Sequence, residues 1–329
     1  MSLPFTFRRF THWFAAAICL ASLPAGAQMA FPAKPIRLIV PFAAGGTSDV
    51  IARLIAQPMA KELGQPVVVE NRAGAGGMLG TEALALAEPD GYTLGLATAS
   101  TMAVNPIFYA KAARTSQQLR PLARLVNVPS VLAVHPAMGV KDFAGFVAEL
   151  KRKPGFYSCP TPGVGSLGHL MLAAMNERLG VKMVGVPYRG MGAALNDALA
   201  GTVQIMPDQL PSVRSHIKAG KLLPLAVFAD KRVAELPQVP TFKELGYGEL
   251  SDLGSTWFGL AVPAKTPSAV ADKLRVAALK AVQAPEVVAR LQDMGASVAA
   301  SDGQAFQQHI DAQLKRNRGI AERGGITVE

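Results

Sequence analysis

The sequence predicts an α/β protein of two lobes with mostly parallel sheets. Three observations point there. Short β-branched runs alternate with amphipathic stretches over the whole length, which is the grammar of repeated βαβ units. Two of those units are joined by glycine-rich loops, Ala43–Asp49 and Gly163–Gly168. The chain of 329 residues also exceeds what one hydrophobic core usually serves.

At the N-terminus, Arg8 and Arg9 precede an uncharged apolar run, Trp13 to Leu23, that closes on Ala25-Gly26-Ala27. That order is the pattern of a cleaved secretory signal peptide, residues 1–27. The apolar run is roughly 11 residues, short of the ~20 needed to cross a bilayer. Export to the periplasm is expected, and because Cys19 lies inside the run, no lipid anchor. The formal charge of +10 falls to +8 without Arg8 and Arg9, since residues 1–27 hold no Asp or Glu. The basic residues are scattered and aromatics make up only 6%, which argues against nucleic acid and leaves a general field that favours small anions. One cysteine, Cys159, remains after cleavage, so no intramolecular disulfide can form.

Ile36–Phe42 has the composition of a buried strand and runs into Ala43–Asp49. A helix follows with Val50, Ile51, Leu54, Ile55, Met59 and Leu63 on one side, kinked at Pro58 and stopped by Gly64. Pro66–Glu70 is the next strand. Further strands are expected at Tyr92–Leu96, Ser130–Val134, Phe156–Ser158, Met183–Pro187, Val203–Met206 and around Trp257–Leu260. Helices are expected over Asp142–Leu150, from the Gly163–Gly168 loop to Leu179, and over Ala193–Ala200, Ser268–Gln283 and Gln304–Arg323. In the last of these Phe306, Ile310 and Leu314 form one apolar stripe that must dock on something. Its return to the first lobe gives residues 28–127 plus 255–329 as lobe one and 128–254 as lobe two.

In such folds ligands bind beyond the carboxyl ends of the strands. Gly45 and Gly46 let the backbone approach a ligand, Thr47 or Ser48 can cap the helix, and the first-turn amides with the helix dipole behind them attract a carboxylate without an arginine. A tight strand-to-helix turn explains the same residues. Gly163-Val164-Gly165-Ser166-Leu167-Gly168 is formally G-x-G-x-x-G, the nicotinamide dinucleotide fingerprint. It stands mid-chain, Cys159–Pro162 separates it from the preceding strand, and no acidic residue ends the next strand, so a second anion cradle is the preferred reading. That gives Ser166 a hydroxyl and Gly165 a free amide toward the ligand. His169 either touches the ligand or bonds the loop. Asp208, at a strand end, suits a donor on the ligand. No G-x-S-x-G frame and no metal-ligand spacing among His135, His169, His216, His309 and Cys159 is present; neither catalysis, cofactor nor metal is expected.

Val40–Asp49, Glu70–Gly77, Val186–Gly190 and Trp257–Leu260 together resemble the Bug family, the substrate-binding receptors of tripartite tricarboxylate transporters. The resemblance spans nearly the whole mature chain. It implies a type II periplasmic binding fold with a ligand cleft between the lobes, a receptor that closes on a small carboxylate (a di- or tricarboxylate, an aromatic acid or an amino acid) and delivers it to membrane transporter subunits. A monomer is expected, and a sensing module for a signalling system is the alternative. The family's contacts fall here on Phe42, Ala44, Gly45, Gly46, Thr47, Ser48 and Asp49, on Thr98, Ser100 and Thr101, on Gly163, Gly165, Ser166 and His169, and on Asp208, largely through amides, hydroxyls and bridging waters. Two departures stand out: Cys159–Pro162 reads as an insertion before the second loop, and Pro207 stands where an aromatic commonly precedes the aspartate. Gly74–Gly80 is assigned to structure near the hinge, with Asn71 and Arg72 closing a turn.

Overall fold

The computed structural model describes residues 1–2 and 31–327; the expected signal peptide lies outside the described residues, apart from its first two. The first lobe begins with β1 (Ile36–Val40), whose side chains are buried but for Arg37. It continues through α1 (Thr47–Leu63), β2 (Val67–Asn71), α2 (Met78–Ala85) and β3 (Thr93–Thr98). Buried Ile51, Ile55 and Met59 form the packed face of α1, which runs unbroken through Pro58 and ends where Gly64 turns left-handed at φ 69°. Three short helices follow, α3 (Ala99–Ala103), α4 (Asn105–Phe108) and α5 (Ala110–Gln117), before the long strand β4 (Leu119–Val134).

β4 carries the chain into the second lobe, which holds α6 (Phe143–Arg152), β5 (Ser158–Thr161), α7 (Leu167–Leu179), β6 (Val184–Pro187), α8 (Met191–Leu199), β7 (Ile205–Gln209), α9 (Leu210–Lys218), β8 (Leu223–Phe228) and α10 (Gly248–Leu253). β9 (Ser255–Pro263) returns, and α11 (Ser268–Gln283), α12 (Pro285–Asp293), β10 (Ser297–Asp302) and α13 (Gly303–Arg323) complete the chain.

The strand order of the first lobe is β10-β4-β9-β3-β1-β2. β1 pairs parallel with β2 and β3, as a βαβ unit requires. The expectation of mostly parallel sheets needs correction, however. β3–β9, β4–β9, β4–β10, β4–β7 and β4–β8 are all antiparallel, and the remaining parallel pair is β5–β6. The reason is that β4 and β9 are the strands by which the chain leaves and re-enters the first lobe, so they run in opposite directions. β4 pairs with β9 up to Pro129↔Ser255 and with β7 and β8 from Ser130 onward. One strand therefore belongs to both sheets and fixes how they meet.

Both lobes are closed by helices over apolar cores. Leu38, Val40, Ile55, Phe258, Leu260 and Leu274 lie together in the first. The α13 stripe docks as anticipated: Phe306 and Ile310 are buried, Phe306 meets Trp257 edge-on at 5.0 Å, and the Asn317 amide donates to Ala103 O at 2.9 Å. A second correction concerns Cys159–Pro162. Ser158 to Thr161 is the strand itself, paired in register with Val184 to Pro187, so no insertion precedes the glycine loop. Cys159 is fully buried in that strand, where desolvation pushes its thiol up and leaves it unreactive.

Candidate ligand cleft

The carboxyl ends of β1, β3, β5 and β7 and the crossing strand β9 surround a cleft of about 680 Å³, counting the open solvent at its mouth. Its lining brings together Phe42, Gly46, Thr47, Ser48, Thr98, Ser100 and Asp208, which the sequence singles out. Gly46 is the N-cap of α1 and makes no side-chain cap, so neither Thr47 nor Ser48 serves as the cap. The amides of Thr47 and Ser48 have no intrahelical partner by construction, whereas those of Asp49 and Val50 donate to Gly46 O at 3.0 and 3.1 Å. The Thr47 hydroxyl is buried and has no hydrogen-bond partner among the described residues. Such a group costs stability unless something bonds it. A carboxylate at this helix end would meet amide donors, a hydroxyl and the positive end of the dipole together.

The second glycine loop is built differently. Ser166 caps α7 by accepting the His169 N–H at 3.3 Å and donates its hydroxyl to Gly163 O at 2.5 Å. The Gly165 N–H donates to His169 Nδ1 at 3.3 Å, so that amide is not free and His169 bonds the loop. Burial holds His169 below its ordinary pKa, in keeping with a neutral ring whose Nδ1 accepts. Gly163, Gly165, Ser166 and His169 stand off the cleft lining, while Pro162, Leu167, Gly168 and Met171 form this wall.

Other expected contacts also lie off the lining. Asp49 accepts Arg53 Nε at 3.0 Å and the Gly45 N–H at 3.2 Å. Burial works to raise its pKa, but these bonds and the Arg53 charge hold it below the ordinary value. Thr101 exchanges hydrogen bonds with Thr98 in a capping box at the start of α3. Ala44 and Gly45 lie in the loop without lining the cleft.

The loops of the two lobes touch. The Ala43 N–H donates to Arg189 O at 3.3 Å, the Leu167 N–H to Ser100 Oγ at 3.1 Å, and the Asn105 amide to Gly165 O at 2.8 Å. A Cβ on Gly192 would stand 2.9 Å from Ala44 O and 3.0 Å from Gly46 N, and one on Gly163 would stand 2.7 Å from Gly76 N. Gly76, at φ 62°, belongs to this contact between the lobes, and the glycine stretch around it leads directly into α2, as its structural assignment anticipates.

Sequence reasoning passed over Ser130, Met191, Gln209, Thr256, Trp257 and Phe258 of the lining. The signal for Trp257 and Phe258 was their place in a strand whose register sets Phe258 opposite Thr98. Trp257 Nε1 donates to Gln313 of α13, which fixes the ring at the cleft floor. Asp208 is buried; it accepts the Gln209 N–H at 2.8 Å and the Ser212 hydroxyl, and desolvation pushes its pKa up to about 6. Among the described residues that line the cleft there is no Arg, Lys or His.

Residues 51–326 match the model of the tripartite tricarboxylate transporter family receptor. The chain belongs to that family. It is 34% identical over 301 residues to the protein BugT of Bordetella pertussis, covering 91% of this chain and 92% of that one. Among solved structures it superposes on a periplasmic transporter at a TM-score of 0.88 and 41% identity, covering 91% of this chain and all of the other. MatC of Rhodopseudomonas palustris with bound malate follows at 0.84 and 31%, covering 88% and 99%. The family consists of solute-binding proteins of the periplasm, so the chain is a receptor and not an enzyme, and the G-x-G-x-x-G loop carries no dinucleotide chemistry. The strand Ser158–Thr161 runs almost directly into that loop, which differs from the dinucleotide fingerprint in its mid-chain place and in the lack of an acidic residue at the end of β6.

Proposed function

We propose that the protein captures a small carboxylate between its lobes and presents it to the membrane subunits of a tripartite tricarboxylate-type transporter. The observation that carries this reading is the N-terminus of α1, where the uncapped first-turn amides and the buried, unpartnered hydroxyl of Thr47 stand at the cleft lining. Those donors supply what a carboxylate needs in a cleft that offers it no cationic side chain. The malate in MatC supports the ligand class. Residues 28–127 with 255–329 and residues 128–254 are taken as the lobes, supported by the change of β4 partners at Pro129/Ser130. Export by the cleaved segment 1–27 and action as a monomer complete the proposal, in line with the periplasmic setting of the family.

Thermal unfolding in the presence of a panel of carboxylates tests it. A ligand at a hundred times its Kd adds about 2.7 kcal/mol of stability, and solution scattering should show contraction on binding. A panel of mono-, di- and tricarboxylates that leaves the unfolding temperature unchanged would reject the reading.

A further inference from the structure

The charge inventory of the cleft distinguishes among carboxylates. Of the side chains that line it, the one ionisable group among the described residues is Asp208, and it is an acid. Its partners, the Gln209 N–H and the Ser212 hydroxyl, are neutral. The nearest acid in the loop, Asp49, is by contrast neutralised by Arg53 at 3.0 Å and lies off the lining. At pH 7.5, above the value of about 6 to which burial pushes it, Asp208 carries an uncompensated negative charge in a desolvated wall. Apolar side chains, among them Phe42, Met171 and Trp257, share the remaining walls with neutral polar ones, Thr98, Ser100, Ser130, Gln209 and Thr256, none of which carries a positive charge.

One ligand carboxylate has a place in this arrangement, at the α1 amides and Thr47. A second would be stripped of water without a cation to receive it, in a small cleft that already holds one carboxylate, where like charges repel strongly. A hydrogen-bond donor on the ligand reverses the sign of that interaction, because Asp208 can accept from it. Resting on the carboxylate-receptor reading above, we infer that the cleft selects a monocarboxylate with an apolar body and one donor, an ammonium or hydroxyl group, directed at Asp208, and that it discriminates against ligands with a second ionised carboxylate. In this it would part from its malate-binding relative.

Isothermal titration of the mature chain at pH 7.5 tests the inference. The probes are leucine and phenylalanine for the ammonium, 2-hydroxy-4-methylpentanoate and 3-phenyllactate for the hydroxyl, 4-methylpentanoate and 3-phenylpropanoate for no donor, and succinate, malate and citrate for the extra charge. The best donor-bearing monocarboxylate should bind about tenfold tighter than its analogue without the donor and roughly a hundredfold tighter than any di- or tricarboxylate. The ammonium and hydroxyl arms identify which donor is used. Succinate, malate or citrate binding as tightly as the best monocarboxylate would overturn the inference and leave the carboxylate reading standing. Silence from every probe would overturn both. Asp208→Asn removes the charge and keeps an acceptor for Gln209; it should narrow the margin against malate by about tenfold. An unchanged margin in a folded variant would also overturn the inference, while the ranking by the unmodified protein does not depend on how that variant folds.

Discussion

The two glycine loops read alike in the sequence, each a strand end, paired glycines, a hydroxyl residue and a helix, yet they do opposite things with their polar groups. At Gly46–Ser48 the helix end is uncapped and one hydroxyl lacks a partner. At Gly163–His169 the cap, the Gly165 amide and the Gly165 carbonyl are all engaged, the last by Asn105 of the other lobe. The first loop is therefore open for a ligand, and the second is a clasp that holds the lobes together. In both loops the residue four positions on accepts a glycine amide, Asp49 from Gly45 and His169 from Gly165; what separates them is the hydroxyl, which caps the helix and bonds the loop at Ser166 and does neither at Thr47. A glycine motif at a helix start shows that a backbone can donate, and only its neighbours show to what.

Substitutions that separate the two roles sharpen this contrast, and the largest effect is expected at Thr47. Thr47→Val removes a hydroxyl that has only a ligand to bond. Loss of a hydrogen bond to a charged group costs about 1.5–3 kcal/mol, so Kd for the best carboxylate should rise roughly 10- to 150-fold. Stability of the free protein should hold or increase, since a buried unpaired hydroxyl is gone. Unaltered affinity in titration would show that the first loop is not the anchor. Gly192→Ala acts on closure instead. Its Cβ would meet Ala44 O at 2.9 Å and Gly46 N at 3.0 Å only while the lobes are shut. Overpacking of this kind costs about 1–3 kcal/mol, expected as weaker binding with the ligand-free unfolding temperature preserved; an equal loss in both would mean the lobes stay shut without ligand.

Much of the fold was legible because it is local. Ser268–Gln283 is bounded in the sequence as in the structure, and the Phe306, Ile310, Leu314 stripe announced a docked helix. β4 was legible only from Ser130, because its first half, with Arg120, Pro121 and Arg124, lacks the continuous apolar run of a buried strand and is fixed by pairing with β9 from far along the chain. Pro160 similarly disguised β5 as a loop, although the strand is a short parallel pair with β6 alone that tolerates a missing donor. In the cleft, the residues contributed by the first loop were readable from helix-end chemistry. Trp257, Phe258 and Ser130 were not, since what brings them there is the crossing of β4 and β9, a long-range fact.

Ser166→Ala tests the clasp. It removes the α7 cap and the bond to Gly163 O, and a lost cap costs about 0.5–2 kcal/mol. For a protein of this size that is a fall of about 2–4 °C in Tm per kcal/mol. Its effect on Kd should be smaller than that of Thr47→Val. The reverse order, a large loss of affinity with Tm intact, would restore Ser166 as a ligand contact and erase the distinction between the loops.

The smallest expected effect lies in the pH dependence, where the two walls pull in opposite directions. His169 is held below its ordinary value of 6.5 by burial. Below pH 6.5 the unfolded chain therefore takes up a proton before the folded one does, and the clasp's contribution is lost as pH falls through the depressed folded value. His309, lowered to about 4 by burial and by Arg124 and Arg316, adds to the same trend. Asp208 has the contrary sign. Its folded value of about 6 stands above the ordinary 3.8, so the contribution it makes below pH 3.8 is lost as pH rises toward and through 6. The two trends offset one another in the unmodified protein between about pH 4 and 6.5. Asp208→Asn removes only the second, so the difference in Tm between variant and parent should move in the variant's favour as pH rises from 4 to 7, and the variant alone should lose stability more steeply on acidification. A difference that stays constant across that range would show that the Asp208 carboxyl is not desolvated in the free protein, and the cleft wall would then be as open to water as the loop facing it.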